Sequence, residues 1–229
     1  MEISDRLKCI AKMVEKCDSI ADIGTDHAYL PIYLIKNEVC RSAIASDINK
    51  GPVEKAESNI RFENVENSIE CRLGPGFTTI KPKEVNVAII AGMGGNLISD
   101  IIEEDLQVFK NLDYLVLQPM QNPDVLRKYI YESGYTVLDE DLCKEENKYY
   151  EVLKIRYNNM PRVLSEVYYE VSKNLLEKKH PLIREYICIK IKKYDKIFSN
   201  INDQGQGAQK RKNNLKMKTM KLKEMVECL

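Results

Sequence analysis

The feature that most constrains the fold is an apolar run, Asn-Val-Ala-Ile-Ile-Ala, at residues 86–91. A run of this kind is expected where both faces of a strand are covered by other elements. Further strand-like segments lie at residues 19–23, 43–46, 68–72 and 114–117. Because helix-like segments alternate with them, the pattern predicts a parallel sheet with right-handed crossovers and helices on both faces.

The segments around these strands show the apolar spacing of amphipathic helices. Helices are predicted at residues 2–16, 29–36, 52–62, 95–104 and 123–133. Two further strands, at residues 135–142 and 149–156, are joined by a short charged turn. So short a link predicts that these two strands pair antiparallel as a hairpin.

The pattern changes near residue 159 from alternating strands and helices to helices alone. Apolar residues recur at helical spacing over residues 164–175 and again after Pro181, and a loop at residues 202–207 turns the chain before a last helix. We therefore expect two domains, residues 1–158 and residues 159–229. The second is predicted to be a helical hairpin that forms a short antiparallel coiled coil.

The overall net charge of zero is the sum of opposite net charges on the two predicted domains. Residues 1–158 carry 19 Lys and Arg against 27 Asp and Glu, whereas residues 159–229 carry 16 against 8. This split indicates an acidic catalytic body and a basic tail whose partner is a polyanion. Two alternatives stay open: the two parts attract each other, or the tail is a solvated coiled coil.

Several classes of protein are disfavoured by what the sequence lacks. No stretch approaches about 18 consecutive apolar residues, so no membrane span is expected. Residues 1–10 lack a signal-peptide core, so we expect a cytoplasmic protein. The seven cysteines are scattered without a CxxC pair and only two histidines exist, which disfavours a disulfide framework, a metal site and a catalytic cysteine. A monomer is the expected state.

The turn after the first strand, Ala-Asp-Ile-Gly-Thr-Asp-His-Ala-Tyr-Leu-Pro at residues 21–31, carries the first candidate ligand residues. Gly24 lets a ligand approach the backbone where open α/β sheets bind ligands, and Asp22 can receive an amino group. Asp26 and His27 stand where a pyrophosphate-binding loop needs bare N–H groups, and they would repel phosphate. The loop therefore favours a cationic ligand such as S-adenosyl-L-methionine (SAM), which carries sulfonium and ammonium groups.

The second strand ends in Asp47, 23 positions after Gly24. A carboxylate at this spacing is placed to accept hydrogen bonds from both hydroxyls of an adenosine ribose. The alternative is that Asp47 caps the helix that follows.

Glycines follow the third and fourth strands as well. Gly74 and Gly76 suit a loop that covers an adenine ring, although a plain turn has the same composition. Three of the four residues in Gly92-Met-Gly-Gly95 are glycine, more than a turn requires. This segment indicates backbone packed against a ligand, with Met93 projecting into the site; a purely structural turn remains the alternative.

Taken together, these motifs resemble a bacterial tRNA (adenine-N1)-methyltransferase family that modifies the adenine at position 22. The resemblance rests on residues 22–31, Arg72-Leu-Gly-x-Gly76, residues 90–95 and Leu117-Gln-Pro119, which occur in the family's order and spacing. It is close over residues 1 to about 157 and architectural beyond them. It implies SAM as methyl donor and an arm that contacts tRNA. Pro75 departs from the polar or acidic residue usual there, which leaves the neighbouring glycine backbone to contact the adenine.

The predicted fold is α/β: a Rossmann-like doubly wound sheet ending in an antiparallel hairpin, plus a C-terminal α-helical coiled-coil hairpin. The predicted cofactor-binding residues are Asp22, Gly24, Thr25, Asp47, Ile48, Gly74, Gly76, Ala91 and Gly92. The predicted catalytic residues are Asp26, His27, Tyr29 and Met93. The predicted RNA-binding residues are Lys190, Lys193, Lys196, Lys212 and Lys216, on an exposed face that also carries Lys218.

The resemblance implies methylation of adenine N1, whose lone pair can attack a methyl group without prior deprotonation. Asp26 is the candidate to stabilise the cationic product or to remove its exocyclic proton. Structural alternatives are a helix N-cap for Asp26, a first-turn surface position for His27 and a core position for Tyr29. Other hypotheses are a SAM-dependent methyltransferase of another RNA, a small molecule or a protein, a non-catalytic RNA-binding protein, and a nicotinamide dehydrogenase, which the missing G-x-G-x-x-G disfavours.

Overall fold

The computed structural model describes residues 1–203 and 205–229. Contacts divide the chain into two compact units, Met1–Leu164 and Ser165–Leu229. Gln204, in the loop predicted at residues 202–207, lies outside the described residues.

Seven strands and six helices are described in the first unit. The helices are α1 (Asp5–Lys12), α2 (Tyr29–Lys36), α3 (Lys50–Phe62), α4 (Gly95–Glu104), α5 (Leu106–Phe109) and α6 (Pro123–Glu132). The strands are β1 (Ser19–Ile23), β2 (Ser42–Asp47), β3 (Ile69–Leu73), β4 (Val87–Gly94), β5 (Tyr114–Gln121), β6 (Tyr135–Glu145) and β7 (Lys148–Tyr157). A 3₁₀ turn, Gly76–Thr79, follows β3.

All seven strands form one sheet in the order β3-β2-β1-β4-β5-β7-β6. The first five run parallel, and β7 is antiparallel to both β5 and β6. The predicted α/β class with a doubly wound sheet is confirmed. Because the strand order reverses between β1 and β4, a crevice is expected at their carboxyl ends.

Helices cover both faces of the sheet, as the apolar run at residues 86–91 predicts. Val87 and Ile89 of β4 belong to the apolar cluster that includes residues of α1, α2 and α3. Ala88 and Ile90 belong to the opposite cluster, which includes residues of α4 and α6. All four side chains are fully buried, so each of these residues contributes to one layer or the other.

The structure differs from the sequence prediction at the ends of several elements. Helix α1 begins at Asp5 rather than residue 2, because Ser4 is extended and its hydroxyl accepts a hydrogen bond from the Leu7 amide at 3.4 Å. Strand β4 runs on to Gly94, with register shifts against β5 on both sides of Met93. The residues predicted to form a glycine loop are therefore an irregular end of a strand.

A buried ion cluster joins α6 to the antiparallel strands. Arg127 is 1% exposed, and its guanidinium contacts Glu140 of β6 at 2.8 Å and also Glu151 of β7. Each of these charges therefore contacts an opposite charge within the core, as burial of charged groups requires. The cluster fixes α6 against the antiparallel end of the sheet.

The second unit is helical, as predicted for the C-terminal part of the chain. Its described helices are α7 (Glu166–Glu170), α8 (Lys173–Glu177), α9 (Ile183–Ser199) and α10 (Gln206–Glu227). A continuous helix over residues 164–175 is the wrong prediction, because Val171 is extended and the Ser172 hydroxyl caps α8 by accepting from the Leu175 amide at 3.2 Å. Helices α9 and α10 pack against each other; the coiled coil stays a prediction.

Neither a membrane span nor a metal cluster is found in the described ranges. None of the helices there has the length and apolar character that a bilayer crossing needs. No three His, Cys, Asp or Glu side chains in those ranges come together as metal ligands.

Candidate active site

A cleft of about 460 Å³ lies at the carboxyl ends of β1 and β4, where the strand order reverses. Eight of the predicted site residues line it: Asp22, Gly24, Thr25, Asp26, His27, Tyr29, Ala91 and Gly92. Arg6, Leu7, Leu30 and Met120 complete the lining. The parallel sheet thus brings together residues that are almost seventy positions apart in the sequence.

Asp22 is a buried carboxylate at the base of this cleft. It is 5% exposed, and its Oδ2 accepts a hydrogen bond from the Thr25 hydroxyl at 2.7 Å. Burial raises the pKa of Asp22 to about 6, opposed by the Thr25 hydrogen bond and by the charge of Arg6. A buried carboxylate of this kind attracts a cationic group, because the cation would stabilise the negative charge that water no longer solvates.

Gly24 adopts a backbone conformation that side chains disfavour, with φ of +76°. Its amide and that of Thr25 both donate to the Ser46 carbonyl, at 2.8 and 2.9 Å, which ties the turn to β2. A Cβ at position 24 would lie 2.1 Å from the terminal methyl of Met93. The turn therefore favours glycine, and any side chain at this position would also require the Met93 methyl to move.

Asp26, His27 and Tyr29 form a group at the cleft, in which Asp26 and Tyr29 are exposed and His27 is half-buried. Asp26 Oδ2 lies 2.8 Å from His27 Nδ1, and the His27 ring stacks on Tyr29 with centroids 5.1 Å apart. The structural alternatives for Asp26 and Tyr29 are wrong: Ala28 is the N-cap residue of α2, and Tyr29 is 42% exposed. His27 precedes that helix, and its carbonyl accepts from Asn59 of α3 at 2.9 Å.

The residues predicted to contact an adenosine lie beside the cleft, at the ends of β2 and β3. Asp47 does not cap α3: Asn49 is the N-cap residue of that helix, and Asp47 Oδ1 accepts from the Asn49 amide at 2.8 Å. Ile48 is 64% exposed next to it. The Gly74 amide donates to the Asp47 carbonyl at 2.9 Å, so the β2 and β3 turns adjoin.

Contacts and backbone conformation within the protein also explain why glycine stands at positions after β3 and β4. A Cβ at Gly74 would meet the Thr79 methyl at 2.6 Å, and Gly76 begins the 3₁₀ turn with φ of +48°. At Gly95 a Cβ would lie 2.3 Å from the Asn122 carbonyl oxygen, so the α4 end packs on the protein's own backbone. For Gly95 the expectation of a ligand contact is therefore wrong.

Met93 does not line the cleft, contrary to its predicted position in the site. Its side chain packs against the apolar cluster of Ala88 and Ile90, with the terminal methyl next to Gly24. Met93 therefore supports the turn after β1 and does not face a substrate.

Sequence reasoning missed Arg6 and Gln118. Arg6 of α1 donates from Nη1 to Gln118 Oε1 at 2.8 Å, and Gln118 is fully buried. Gln118 lies in the Leu117-Gln-Pro119 motif, which was a usable signal. The periodicity of α1 identifies only its apolar face and gives no reason to single out Arg6.

With this geometry established, comparison with known proteins identifies the family. The sequence matches the family model described as tRNA (adenine(22)-N(1))-methyltransferase over residues 20–225. The chain belongs to this family. The family that the sequence motifs resemble is thereby confirmed.

Individual members agree with this assignment. The tRNA (adenine(22)-N(1))-methyltransferase of Bacillus subtilis is 36% identical over 153 residues, which are 67% of this chain and 64%, less than two thirds, of that protein. The crystal structure of the B. subtilis m1A22 tRNA methyltransferase TrmK has a TM-score of 0.88 at 28% identity, covering 98% of this chain and 99% of that chain. Streptococcus pneumoniae Sp1610 in complex with S-adenosyl-L-methionine gives 0.87 at 29% identity, covering 98% and 100%.

In the second unit, a buried carboxylate contacts two of the lysines that were predicted to lie on an exposed face. Glu170 is 2% exposed and contacts Lys218, Tyr194 and, at 3.9 Å, Lys190. Burial alone would raise the pKa of Glu170, but the charge of Lys190 and the contacts with Lys218 and Tyr194 outweigh it and keep that pKa below its usual value. The prediction that Lys190 and Lys218 lie on an exposed face is therefore wrong.

The other predicted RNA-binding residues are more accessible. Lys193, Lys196 and Lys216 are exposed, whereas Lys212 is half-buried with its ammonium 6.0 Å from the Phe198 ring. Helical spacing predicted all of these positions alike, because it does not show which lysine meets a buried acid in the tertiary structure.

The geometry of Gly24 generates a stability prediction. Gly24→Ala should lower the free energy of unfolding by about 1 to 3 kcal/mol, because alanine is strained at positive φ and Met93 must move. Urea denaturation followed by circular dichroism measures this. Gly51→Ala is the matched control, since Gly51 is helical with no atom near its missing Cβ; it should be neutral or stabilising by up to about 1 kcal/mol. Equal effects of the two substitutions would contradict the role assigned to Gly24.

Proposed function

We propose that this chain transfers a methyl group from SAM to N1 of the adenine at position 22 of tRNA, and that it acts in the cytoplasm as a monomer without a metal ion. The observation that carries the proposal is the cleft at the ends of β1 and β4. It places a buried carboxylate, Asp22, and the bare backbone of Gly24 beside the group of Asp26, His27 and Tyr29. Family membership supports the same reaction.

The residues present fit SAM. Gly24 presents only its backbone to the cleft, and the buried Asp22 carboxylate is suited to an ammonium group. Only Oδ1 of Asp47 accepts a hydrogen bond from the Asn49 amide, so Oδ2 can accept from a ribose hydroxyl. Ile48 presents an exposed apolar surface next to it for the adenine ring. When bound, SAM supplies an electrophilic methyl group attached to a sulfonium.

The chain's task in the reaction is alignment. Adenine N1 takes part in Watson–Crick pairing, so the target base must be unpaired or flipped out of its stack. The stacked rings of His27 and Tyr29 provide an exposed aromatic surface on which such a base can lie. Held there with its N1 lone pair in line with the methyl carbon and the sulfur, the base reacts without prior deprotonation.

Asp26 and His27 act on the charge that the reaction creates. Methylation forms the bond from N1 to carbon, breaks the bond from carbon to sulfur and leaves the adenine cationic. His27 Nδ1 lies 2.8 Å from the Asp26 carboxylate and donates a hydrogen bond to it. The other ring nitrogen of His27, Nε2, can then accept a proton from the exocyclic amine of the methylated adenine. Asp26 also stabilises the cation through its own negative charge.

The decisive experiment incubates the protein with methyl-labelled SAM and unmodified tRNA, followed by nucleoside analysis and by primer extension, which 1-methyladenosine blocks at its own position. Label in 1-methyladenosine at position 22 is the expected result; label only in small molecules, in protein or in another nucleoside would contradict the proposal. Asp47→Ala should abolish SAM binding in isothermal titration calorimetry and leave tRNA binding nearly intact. Asp100→Ala, an exposed carboxylate of α4, is the control and should change neither.

The raised pKa of Asp22 predicts how SAM binding depends on pH. Only the ionised carboxylate attracts an ammonium group, and the pKa of about 6 means that Asp22 becomes protonated as the pH falls through this value. Affinity for SAM should therefore fall about tenfold between pH 7.5 and pH 5. Calorimetry across this range measures it. Asp22→Asn should bind SAM weakly at every pH. A wild-type affinity for SAM that does not vary with pH would exclude this role of Asp22.

The exposed lysines of the second unit predict a salt dependence of tRNA binding. Replacing Lys193, Lys196 and Lys216 together by Gln should reduce the slope of log affinity against log salt by about 2, because fewer counterions are released. Filter binding at several salt concentrations measures the slope. Replacing the exposed Lys12, Lys16 and Lys83 of the first unit is the control. A slope equal in both triple variants would argue against an RNA-binding role for the lysines of the second unit.

A further inference from the structure

Arg6 is a cation held in place at the cleft by neutral partners. Its Nη1 donates to Gln118 Oε1 at 2.8 Å, and its guanidinium carbon lies 5.9 Å from the centre of the Tyr150 ring. Gln118 is fully buried, and its Nε2 donates to the Pro119 carbonyl at 2.8 Å, so the orientation of its amide is fixed. The guanidinium of Arg6 is therefore positioned before any ligand arrives.

The charge of Arg6 has no carboxylate partner in the part of the chain that the structure describes. No acidic oxygen there lies within 4.0 Å of its nitrogens, although its field opposes the rise in the pKa of Asp22. The hydrogen bond to Gln118 uses one of the five N–H donors of a guanidinium. A positioned guanidinium with free donors in a cleft is suited to binding a planar anion such as a carboxylate.

Asp22 and Arg6 line the same cleft and do not form an ion pair with each other. An α-amino acid carries an ammonium and a carboxylate on one carbon, and so needs one acceptor and one donor that have not neutralised each other. We propose that Arg6 binds the α-carboxylate of the methionine part of SAM, while Asp22 binds its α-ammonium. This inference rests on the proposed function and assigns the residue that distinguishes SAM from ligands without the carboxylate.

A nucleic-acid phosphate fits this position less well. The carboxylates of Asp22 and Asp26 line the same cleft and would repel a phosphodiester, whereas an amino acid offers Asp22 its own cation. The hydrogen bond to a fully buried glutamine also ties Arg6 to the interior of the first unit.

The test compares three ligands on the full chain by isothermal titration calorimetry: SAM, decarboxylated SAM and 5′-methylthioadenosine. The wild-type protein should bind SAM at least roughly tenfold more tightly than decarboxylated SAM, as expected for loss of a charge-assisted hydrogen bond. Arg6→Gln should weaken SAM binding by the same factor and leave the other two ligands within about twofold. Lys8→Gln, which removes an exposed charge from the same helix, is the matched control and should change none of the three.

Other outcomes overturn the inference in distinguishable ways. Equal weakening of all three ligands by Arg6→Gln, with a lower melting temperature, would show that Arg6 only anchors α1. Unchanged SAM binding with weaker tRNA binding and a smaller salt slope would assign Arg6 to a phosphate. Arg6→Lys, which keeps the charge, should recover part of the preference for SAM. If the wild-type protein binds no SAM at all, the proposed function itself fails.

Discussion

The site depends on a single topological constraint, the pairing of β1 with β4 in a sheet whose strand order reverses between them. Chain segments leave these two strands toward opposite faces, which opens a cleft at their carboxyl ends. The turn of β1 supplies Asp22 and Gly24 on one side of this cleft, and the irregular end of β4 supplies Ala91 and Gly92 on the other. The chemistry of the cleft follows from which residues these two ends carry.

Residues at strand ends could be predicted from the sequence because their position follows from local pattern. An apolar run followed by glycine and acidic residues identifies both the strand and the end at which ligands bind, and this reasoning found Asp22, Gly24 and Gly92 without structural information. The same reasoning separated a cation-binding turn from a phosphate-binding one. The buried environment of Asp22 agrees with that distinction.

Contacts between distant parts of the chain could not be predicted in this way. Arg6 meets Gln118 across more than a hundred residues, and no periodicity in α1 sets it apart from its neighbours. Lys190 and Lys218 follow the same helical spacing as the exposed lysines, yet both meet the buried Glu170. Gly95 was assigned to a ligand because the sequence does not show the Asn122 backbone that approaches it. In each case the deciding partner lies on another element.

The contact between Met93 and Gly24 gives the cleft an uneven stiffness. Most of the wall near Asp22 is backbone tied to β2 or a side chain held by hydrogen bonds, and it has little freedom to move. Beneath the glycine, however, the support is an unbranched thioether with three rotatable bonds. A ligand that presses on Asp22 would therefore meet firm resistance, whereas one that presses on the Gly24 backbone would meet a turn whose support can change rotamer.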